Sequence, residues 1–198
     1  MKDSRGRSFS LRECSLAETA PGAGPSDLDA LMVVEETAFE EGIRENRETF
    51  LRRIQAFPGG CLLLISEEGR TPIGYFCGEL WERFDPPFTP ERFTLGHSAL
   101  ESHSSVGTVL YISSMGLLPS YRGGGLGGLL FNGSVEYILS RNPRIEKAVL
   151  LVNERWEGAY CIYSKAGFAE IGRLKDFFTP QGASGNTPSD GIIMEKKR

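Results

Sequence analysis

The stretch of sequence that decides the fold is TVLYISSMGLLPSYRGGGLGG, residues 108–128 of a chain of 198 residues. Residues 108–118 are mostly apolar and rich in β-branched and aromatic side chains, which predicts a strand. Five glycines follow within residues 123–128, and the apolar spacing over residues 126–139 predicts a helix. We therefore expect a strand that turns into a helix through a glycine-rich loop.

Hydrophobic periodicity predicts the elements on the N-terminal side of this stretch. They are a short strand at residues 9–12, a helix from residue 26, a second helix around residues 50–54, and an antiparallel hairpin of residues 61–66 and 73–81. Residues 19–26 are predicted to be a loop, and Ser26 with Asp29 predicts a capping box for the first helix. The polar, proline-containing segment 84–105 is predicted to be a long loop, which is more often functional than idle.

The C-terminal side continues the alternation of strands and helices. Residues 148–152 form a predicted strand, and a helix with apolar positions between Trp156 and Ala166 follows, with Asn153 as its cap. Gly167 is expected to end that helix in the left-handed conformation, with Phe168 folding back as the apolar contact. Two closing strands, residues 168–178 and 192–195, flank a predicted loop at 179–191.

These elements predict one α/β domain, in the order β-α-α-β-β, β-α-β, α-β-β. The β-α-β unit is expected to place strands 108–118 and 148–152 side by side and parallel. The sequence has no internal repeat, so residues 1–198 read as a single domain with a core of about residues 8–196. We expect a mixed sheet with helices on both faces.

Composition excludes several classes of function. The net charge is −4, from 22 Lys plus Arg against 26 Asp plus Glu, without a basic stripe for nucleic acid. The longest apolar runs, such as residues 61–65, have five residues and are far shorter than the roughly 20 residues that span a membrane, and residues 1–7 do not begin an export signal. The spacing of the cysteines and histidines predicts no metal site and a cytoplasmic protein with buried, reduced thiols. The cysteines are Cys14, Cys61, Cys77 and Cys161.

The glycine cluster has three interpretations. The three are a flexible loop, a dinucleotide-binding fingerprint, and a phosphate-binding loop at a helix N-terminus. At such a terminus unpaired N–H groups favour anions. Gly123, Gly125 and Gly128 formally match G-x-G-x-x-G, with Glu154 after the next strand. We reject the dinucleotide interpretation because residues 119–122 separate the glycines from the strand and only one β-α-β crossover is available.

Two motifs carry a resemblance to a known family. The pattern Arg122-x-x-Gly125-x-Gly127 after an apolar strand resembles the pyrophosphate loop of the GCN5-related N-acetyltransferase (GNAT) superfamily. The run of Asn153, Ala159 and then YSKAGF at residues 163–168 is similar to that superfamily's second signature. The motifs stand in the family's order, and the predicted elements agree with its fold.

The resemblance implies acetyl-coenzyme A as cosubstrate. Its pyrophosphate would lie on the amides of the glycine loop, and its pantetheine arm would run beside the strand around Gly116. A β-bulge at Gly116 is expected to open the cleft, although a core glycine is the alternative. The residues implied in cofactor binding are Met115, Gly116, Leu117, Arg122, Gly123, Gly124, Gly125, Leu126, Gly127, Gly128, Asn153 and Tyr160.

The resemblance also assigns catalytic roles. Tyr163 stands at the family's position for the general acid, although helical spacing alone favours a core aromatic, and the main-chain N–H of Met115 is the expected oxyanion donor. Many relatives carry a Glu or His as base on the strand before the loop, where this chain has only Tyr111, Ser113 and Ser114 to hold a water chain. Outside candidates for the base are Glu79, His97 and His103.

The acceptor remains open at this stage. Residues 96–99 (GHSA) and the first helix weakly resemble the arylalkylamine N-acetyltransferase branch, whose histidines fall where this chain has Tyr111 and Ser113. Acidic residues that would suit a cationic amine are Glu35, Glu36, Glu40, Glu41 and Asp85. Three hypotheses stand: a small-amine acetyltransferase, a protein or peptide acetyltransferase with a groove unobstructed by residues 84–105, and a non-catalytic acyl-coenzyme A binding module. A homodimer is left open.

Overall fold

A computed structural model describes residues 1–17, 25–179 and 187–198, and these contain seven strands and five helices. The strands are β1 (Phe9–Glu13), β2 (Cys61–Ser66), β3 (Thr71–Trp81), β4 (Val109–Leu117), β5 (Lys147–Asn153), β6 (Ala169–Phe178) and β7 (Ser189–Lys197). The helices are α1 (Asp27–Ala38), α2 (Arg47–Ala56), α3 (Ala99–Ser102), α4 (Leu126–Arg141) and α5 (Glu157–Lys165). Most of the loop expected at 19–26, and residues 180–186 of the loop expected at 179–191, lie outside the described residues.

All seven strands form one mixed sheet in the order β1-β2-β3-β4-β5-β7-β6. The first four strands are antiparallel neighbours, and so are β5, β7 and β6. Strands β4 and β5 pair in parallel, joined by α4. The hairpin, the β-α-β unit and the mixed α/β sheet predicted from the sequence are therefore confirmed.

The two faces of the sheet are buried against different layers. On one face Leu64 and Phe76 belong to a core cluster with α4 and the flank of α5. On the other face Leu63 and Tyr75 pack against α1 and α2. Because successive side chains of a strand point to opposite faces, β2 and β3 are apolar along most of their length and the sheet is covered on both sides.

Of three predicted helix termini, two are confirmed and one is not. Ser26 and Asp29 form the predicted capping box of α1, and Gly167 (φ 91°) ends α5 with Phe168 buried behind it. Asn153 does not cap α5: its side-chain oxygen accepts from the Arg155 N–H, 2.9 Å away, in a turn at the end of β5. The helix begins only at Glu157, so the predicted cap was wrong.

Segment 84–105 is more ordered than the predicted loop. It contains a 3-10 turn at Pro90–Phe93 and the short helix α3. Phe84 and Phe93 are buried in a third cluster with Trp81, and the Phe93 and Trp81 rings pack edge to face with their centroids 6.0 Å apart. The aromatic side chains hold the segment on the sheet, on the face that also carries α1 and α2.

The predicted bulge lies at a different residue. Gly116 pairs regularly with Tyr75, whereas the register between β3 and β4 shifts at Ser113, which is left over between the pairs Gly78–Ile112 and Cys77–Ser114. The expected bulge at Gly116 was therefore wrong by three residues. Gly116 is instead required by packing, because a Cβ there would lie 2.5 Å from Tyr75 Cε1.

Two further expectations concern membrane-spanning helices and the burial of the cysteines. Within the described ranges no helix is long and apolar enough to cross a membrane. All four cysteines are unpaired, and Cys14, Cys61 and Cys77 are buried as expected. Cys161 is exposed on α5, so the expectation of burial was wrong for this thiol.

Candidate active site

A cleft opens where β4 and β5 separate. Their parallel pairing ends at Ile112 and Leu150, after which β4 continues with β3 and β5 continues with β7. The bulge at Ser113 coincides with this separation. The resulting cleft has a volume of about 730 Å³, and its lining includes residues 111–117 of β4, the glycine loop and one side of α5.

The glycine loop forms one end of the cleft. Gly123 and Gly125 have φ angles of 81° and 77°, which side chains other than glycine rarely adopt. A Cβ at Gly125 or Gly128 would meet no heavy atom within 4 Å, so the loop is open toward the cleft. Gly125 is also the N-cap of α4 and provides no side-chain acceptor, which leaves the first N–H groups of this 16-residue helix available for an anion.

The back of the same loop is fixed by the N-terminal turn. The Ser4 N–H donates to the Gly124 carbonyl at 3.2 Å, and the buried Asp3 carboxylate accepts from the Arg5 and Arg7 N–H groups. Burial raises the pKa of Asp3, but these N–H hydrogen bonds, the hydrogen bond from the Arg7 side chain and the Arg7 charge outweigh it and lower the pKa. The turn therefore supports the loop from behind while its front remains open.

Some of the predicted cofactor-binding residues line the cleft and others do not. The cleft is lined by Met115, Gly116, Leu117, Arg122, Gly123, Gly125, Gly127 and Gly128. Leu126 and Tyr160 instead pack on the core, Gly124 is buried behind the loop, and Asn153 lines an adjoining cavity. The Arg122 guanidinium donates to the carbonyls of Leu117 and Ala38, each at 3.2 Å, and so links the end of α1 to the end of β4.

Tyr163 lines the cleft from α5. Its half-buried ring lies 4.7 Å from that of Phe131, so the side chain both packs on the core and borders the cleft. Burial raises the pKa of Tyr163 to about 12. Its hydroxyl is therefore protonated at neutral pH, as a proton donor must be.

Three hydroxyl groups lie along β4 at the floor of the cleft. Tyr111 is stacked on Trp81 with ring centroids 4.0 Å apart, and burial raises its pKa above the ordinary value. The Ser113 hydroxyl donates to the Cys77 carbonyl at 3.2 Å. Ser114, next to the bulge, is 2.7 Å from the Tyr75 hydroxyl. Among hydrogen bonds between described residues, those of Ser114 are the ones that connect a hydroxyl of this group to further titratable side chains.

A buried carboxyl group lies behind Ser114. Tyr75 donates a hydrogen bond to Glu35 Oε2, and Glu35 Oε1 accepts from the Glu45 N–H at 2.8 Å. Glu45 forms a buried ion pair with Arg53 and, like Glu35, contributes to the cleft lining. Tyr75, Glu45 and Arg53 were not predicted from the sequence as site residues, although a tyrosine on an apolar strand was an available signal.

A second cavity of about 870 Å³ adjoins the cleft on its outer side. Phe39, Trp156 and Phe178 line both cavities, with the Phe39 and Trp156 rings 5.7 Å apart and the Trp156 and Phe178 rings 5.6 Å apart. Among the acidic residues singled out above, Glu40 and Glu41 line this outer cavity and Glu35 lines the cleft. Glu36 and Asp85 line neither.

The outside candidates for the base lie where segment 84–105 contacts β3. His97 Nε2 contacts Glu79 Oε1 at 2.9 Å, and the same oxygen accepts from Trp81 and Ser102. Burial lowers the pKa of His97, but the hydrogen bond and charge of Glu79 outweigh it and raise the pKa above its ordinary value. His103 accepts from the Leu80 N–H through Nδ1. These histidines tie the segment to the sheet and are not cleft-lining residues.

Comparison with known proteins identifies this arrangement. The model of the Acetyltransferase (GNAT) family matches residues 29–168, which is more than half of the chain. The chain belongs to the GNAT family. A comparison with curated protein sequences gave no significant match.

Solved structures agree with the GNAT fold. The loading GNATL domain of CurA from Lyngbya majuscula is 16% identical over 96% of this chain and 98% of that chain, with a TM-score of 0.73. The ribosomal-protein-S18-alanine N-acetyltransferase from Escherichia coli is 14% identical over 96% and 94%, with a TM-score of 0.64. Arabidopsis thaliana Naa50, in complex with the bisubstrate analogue CoA-Ac-MVNAL, is 19% identical over 96% and 98%, with a TM-score of 0.65.

This GNAT protein is therefore an acyltransferase by family, with acetyl-coenzyme A as its cosubstrate. The comparisons do not single out the arylalkylamine branch. The glycine loop of the cleft fits a diphosphate because no side chain caps the first N–H groups of α4 and, among the described residues, a Cβ at Gly125 or Gly128 would meet no heavy atom within 4 Å.

Proposed function

We propose that this GNAT protein transfers the acetyl group of acetyl-coenzyme A directly to the primary amine of a small molecule, with Tyr163 as general acid. The observation that carries the proposal is that Tyr163, the separated end of β4 and the open glycine loop line one cleft. One cavity would thus hold a proton donor, the thioester and the phosphates.

The cosubstrate would span the cleft from the glycine loop to the bulge. The N–H groups at the start of α4 would hold the pyrophosphate, and the end of β4 around Gly116 would pair with the pantetheine arm. Arg122 would add positive charge at the loop, and Asn153 would reach the pantetheine from the adjoining cavity. Leu126 and Tyr160 would support the loop and α5 through the core.

Tyr163 would protonate the departing thiolate. An alkylamine has a pKa of about 10.4 and must attack as the neutral amine. A tyrosine whose pKa is about 12 remains protonated throughout the pH range in which neutral amine is available. The N–H of Met115 would stabilise the negative charge on the carbonyl oxygen.

The acceptor end of the cleft supports a small cationic amine. Glu40 and Glu41 bring negative charge to the outer cavity, and Phe39 and Trp156 provide aromatic faces that attract cations. Segment 84–105 contributes Phe93 and Leu95 to the cleft wall, which favours a small acceptor over a polypeptide. A cytoplasmic location and a homodimer remain predictions.

An amine panel tests the proposed function. Thiol release from acetyl-coenzyme A is followed with arylalkylamines, polyamines and peptides that have free N-termini or lysines. We expect amine-dependent release with small amines and acetylated product by mass spectrometry. Release with peptides alone would move the assignment to a protein acetyltransferase. Binding of coenzyme A without release for any amine would leave a non-catalytic acyl-coenzyme A module.

A further inference from the structure

A continuous chain of hydrogen bonds runs from the cleft into α1. Ser114 lines the cleft, its hydroxyl lies 2.7 Å from the Tyr75 hydroxyl, and Tyr75 in turn donates to Glu35. Tyr75 is fully buried and Glu35 is 1% exposed. These hydrogen bonds connect Ser114 to a buried carboxyl group through the Tyr75 hydroxyl.

The chemistry of the three groups sets the direction of the chain. An ionised carboxylate only accepts hydrogen bonds, so the Tyr75 proton is directed to Glu35. The Tyr75 oxygen is then the acceptor for the Ser114 hydroxyl proton. This leaves the lone pairs of the Ser114 oxygen free to accept a proton at the cleft.

The neighbourhood of Glu35 favours proton uptake there rather than at Glu45. Arg53 neutralises Glu45 in a two-pronged ion pair, whereas within the described part of the chain Glu35 has no ion-pair partner. The titratable groups facing Glu35 are Tyr75, Glu45 and Arg53. Burial is the main cause that raises the pKa of Glu35, and the Tyr75 and Glu45 N–H hydrogen bonds oppose it only in part. A raised pKa brings a carboxylate toward the basicity that general-base catalysis requires.

We propose that Ser114 takes the proton of the attacking amine and that Tyr75 relays it to Glu35, which is the final proton acceptor. The inference rests on the proposed acetyl transfer and names the base of that reaction. It gives separate roles to the two serines, because the Ser113 proton is already donated to the Cys77 carbonyl.

The proton balance of the step closes. The amine nitrogen forms a bond to the carbonyl carbon of the thioester, and the C–S bond breaks. The amine proton moves to Ser114 Oγ, the Ser114 proton to Tyr75 Oη, and the Tyr75 proton to Glu35 Oε2. Tyr163 gives its proton to the thiolate, so the proton gained by Glu35 equals the one lost by Tyr163, and exchange with solvent restores both groups.

Chain-breaking variants test the relay. The pH dependence of kcat and kcat/KM is measured with the best amine of the panel for Glu35→Gln, Tyr75→Phe and Ser114→Ala. We expect each variant to lose at least about tenfold in kcat, and the acidic fall of kcat/KM assigned to Glu35 to disappear in Glu35→Gln. Because every substitution breaks the same series of hydrogen bonds, a double variant should lose no more of its kcat than the worse single variant.

The chain offers matched controls for these substitutions. Tyr137 donates to Glu13 Oε1 at 2.6 Å, a tyrosine–glutamate hydrogen bond outside the cleft. Tyr137→Phe and Glu13→Gln should keep the wild-type rate and pH profile. Thermal melts show whether each variant folds, and Ser114→Ala decides the question if the buried substitutions do not fold.

The outcomes separate the relay from the proposed function. If wild type is active and Glu35→Gln keeps the wild-type rate and the acidic limb of the pH profile, the relay is overturned and the proposed acetyl transfer is not. The same holds if Ser114→Ala keeps the wild-type kcat. A wild type that acetylates no amine overturns the acetyltransferase proposal and the relay together.

Discussion

The ring of Tyr75 occupies the space that any side chain at Gly116 would need, since a Cβ there would lie 2.5 Å from Tyr75 Cε1 and 3.1 Å from Cζ. Position 116 is therefore glycine because of what it faces across the strands. The same contact holds the Tyr75 hydroxyl beside Ser114.

Replacing Gly116 tests this contact. We expect Gly116→Ala to lower the free energy of unfolding by about 1–3 kcal/mol, because overpacking must displace the buried ring. Chemical denaturation measures the change. Gly158→Ala is the control: a Cβ there meets nothing within 4 Å, and because alanine favours a helix more than glycine does, its free energy of unfolding should equal or slightly exceed that of wild type. Equal stability of the two variants would show that Tyr75 moves without cost.

Substitutions at Gly125 test whether the glycine loop binds the phosphates of coenzyme A. Gly125→Ala adds only backbone strain at φ 77°, whereas Gly125→Asp also places negative charge at the N-terminus of α4. We expect calorimetry with coenzyme A to show weaker binding for Asp than for Ala, and at least about tenfold weaker than wild type, which corresponds to about 1.4 kcal/mol. Wild-type affinity in Gly125→Asp would refute the assignment of the loop.

The ion pair of His97 with Glu79 predicts a pH-dependent stability. The folded-state pKa of His97 lies above its ordinary value of 6.5, so its contribution is complete below pH 6.5 and is lost as the pH rises through the raised pKa. Burial raises the pKa of Glu79, but bonds to His97, Trp81 and Ser102 outweigh it, and its contribution is lost as the pH falls through a pKa below 4.5. The pair should stabilise the fold most between pH 4.5 and 6.5.

Denaturation of His97→Gln at several pH values measures this effect. We expect a loss of about 1.5–3 kcal/mol at pH 5.5 that becomes smaller above the raised pKa. His103→Gln is the opposite control, because burial lowers the pKa of His103 and its contribution is lost as the pH falls. A loss in His97→Gln that is independent of pH would contradict the charged pair.

The order of the elements and their faces followed from local patterns. Periodicity located the strands and helices to within a few residues, and the capping box at Ser26 and the stop at Gly167 depended on local chemistry alone. The motifs at residues 122–127 and 153–168 predicted the family, the glycine loop and the cleft position of Tyr163.

What escaped prediction depends on contacts between distant segments. The bulge at Ser113 is a property of the register between β3 and β4, and the start of α5 depends on the turn that Asn153 forms with Arg155. The link from Ser114 to Glu35 spans residues far apart in sequence, and only the folded chain brings them together.

The most direct test of the central claim is the rate of Tyr163→Phe with a small amine that wild type acetylates. The variant removes the one hydroxyl that the account assigns to the departing thiolate while keeping the packing on Phe131. We predict a fall of at least about tenfold in kcat with little change in coenzyme A affinity, against a wild-type rate in Tyr137→Phe. A Tyr163→Phe enzyme as fast as wild type would contradict the role of Tyr163 as general acid.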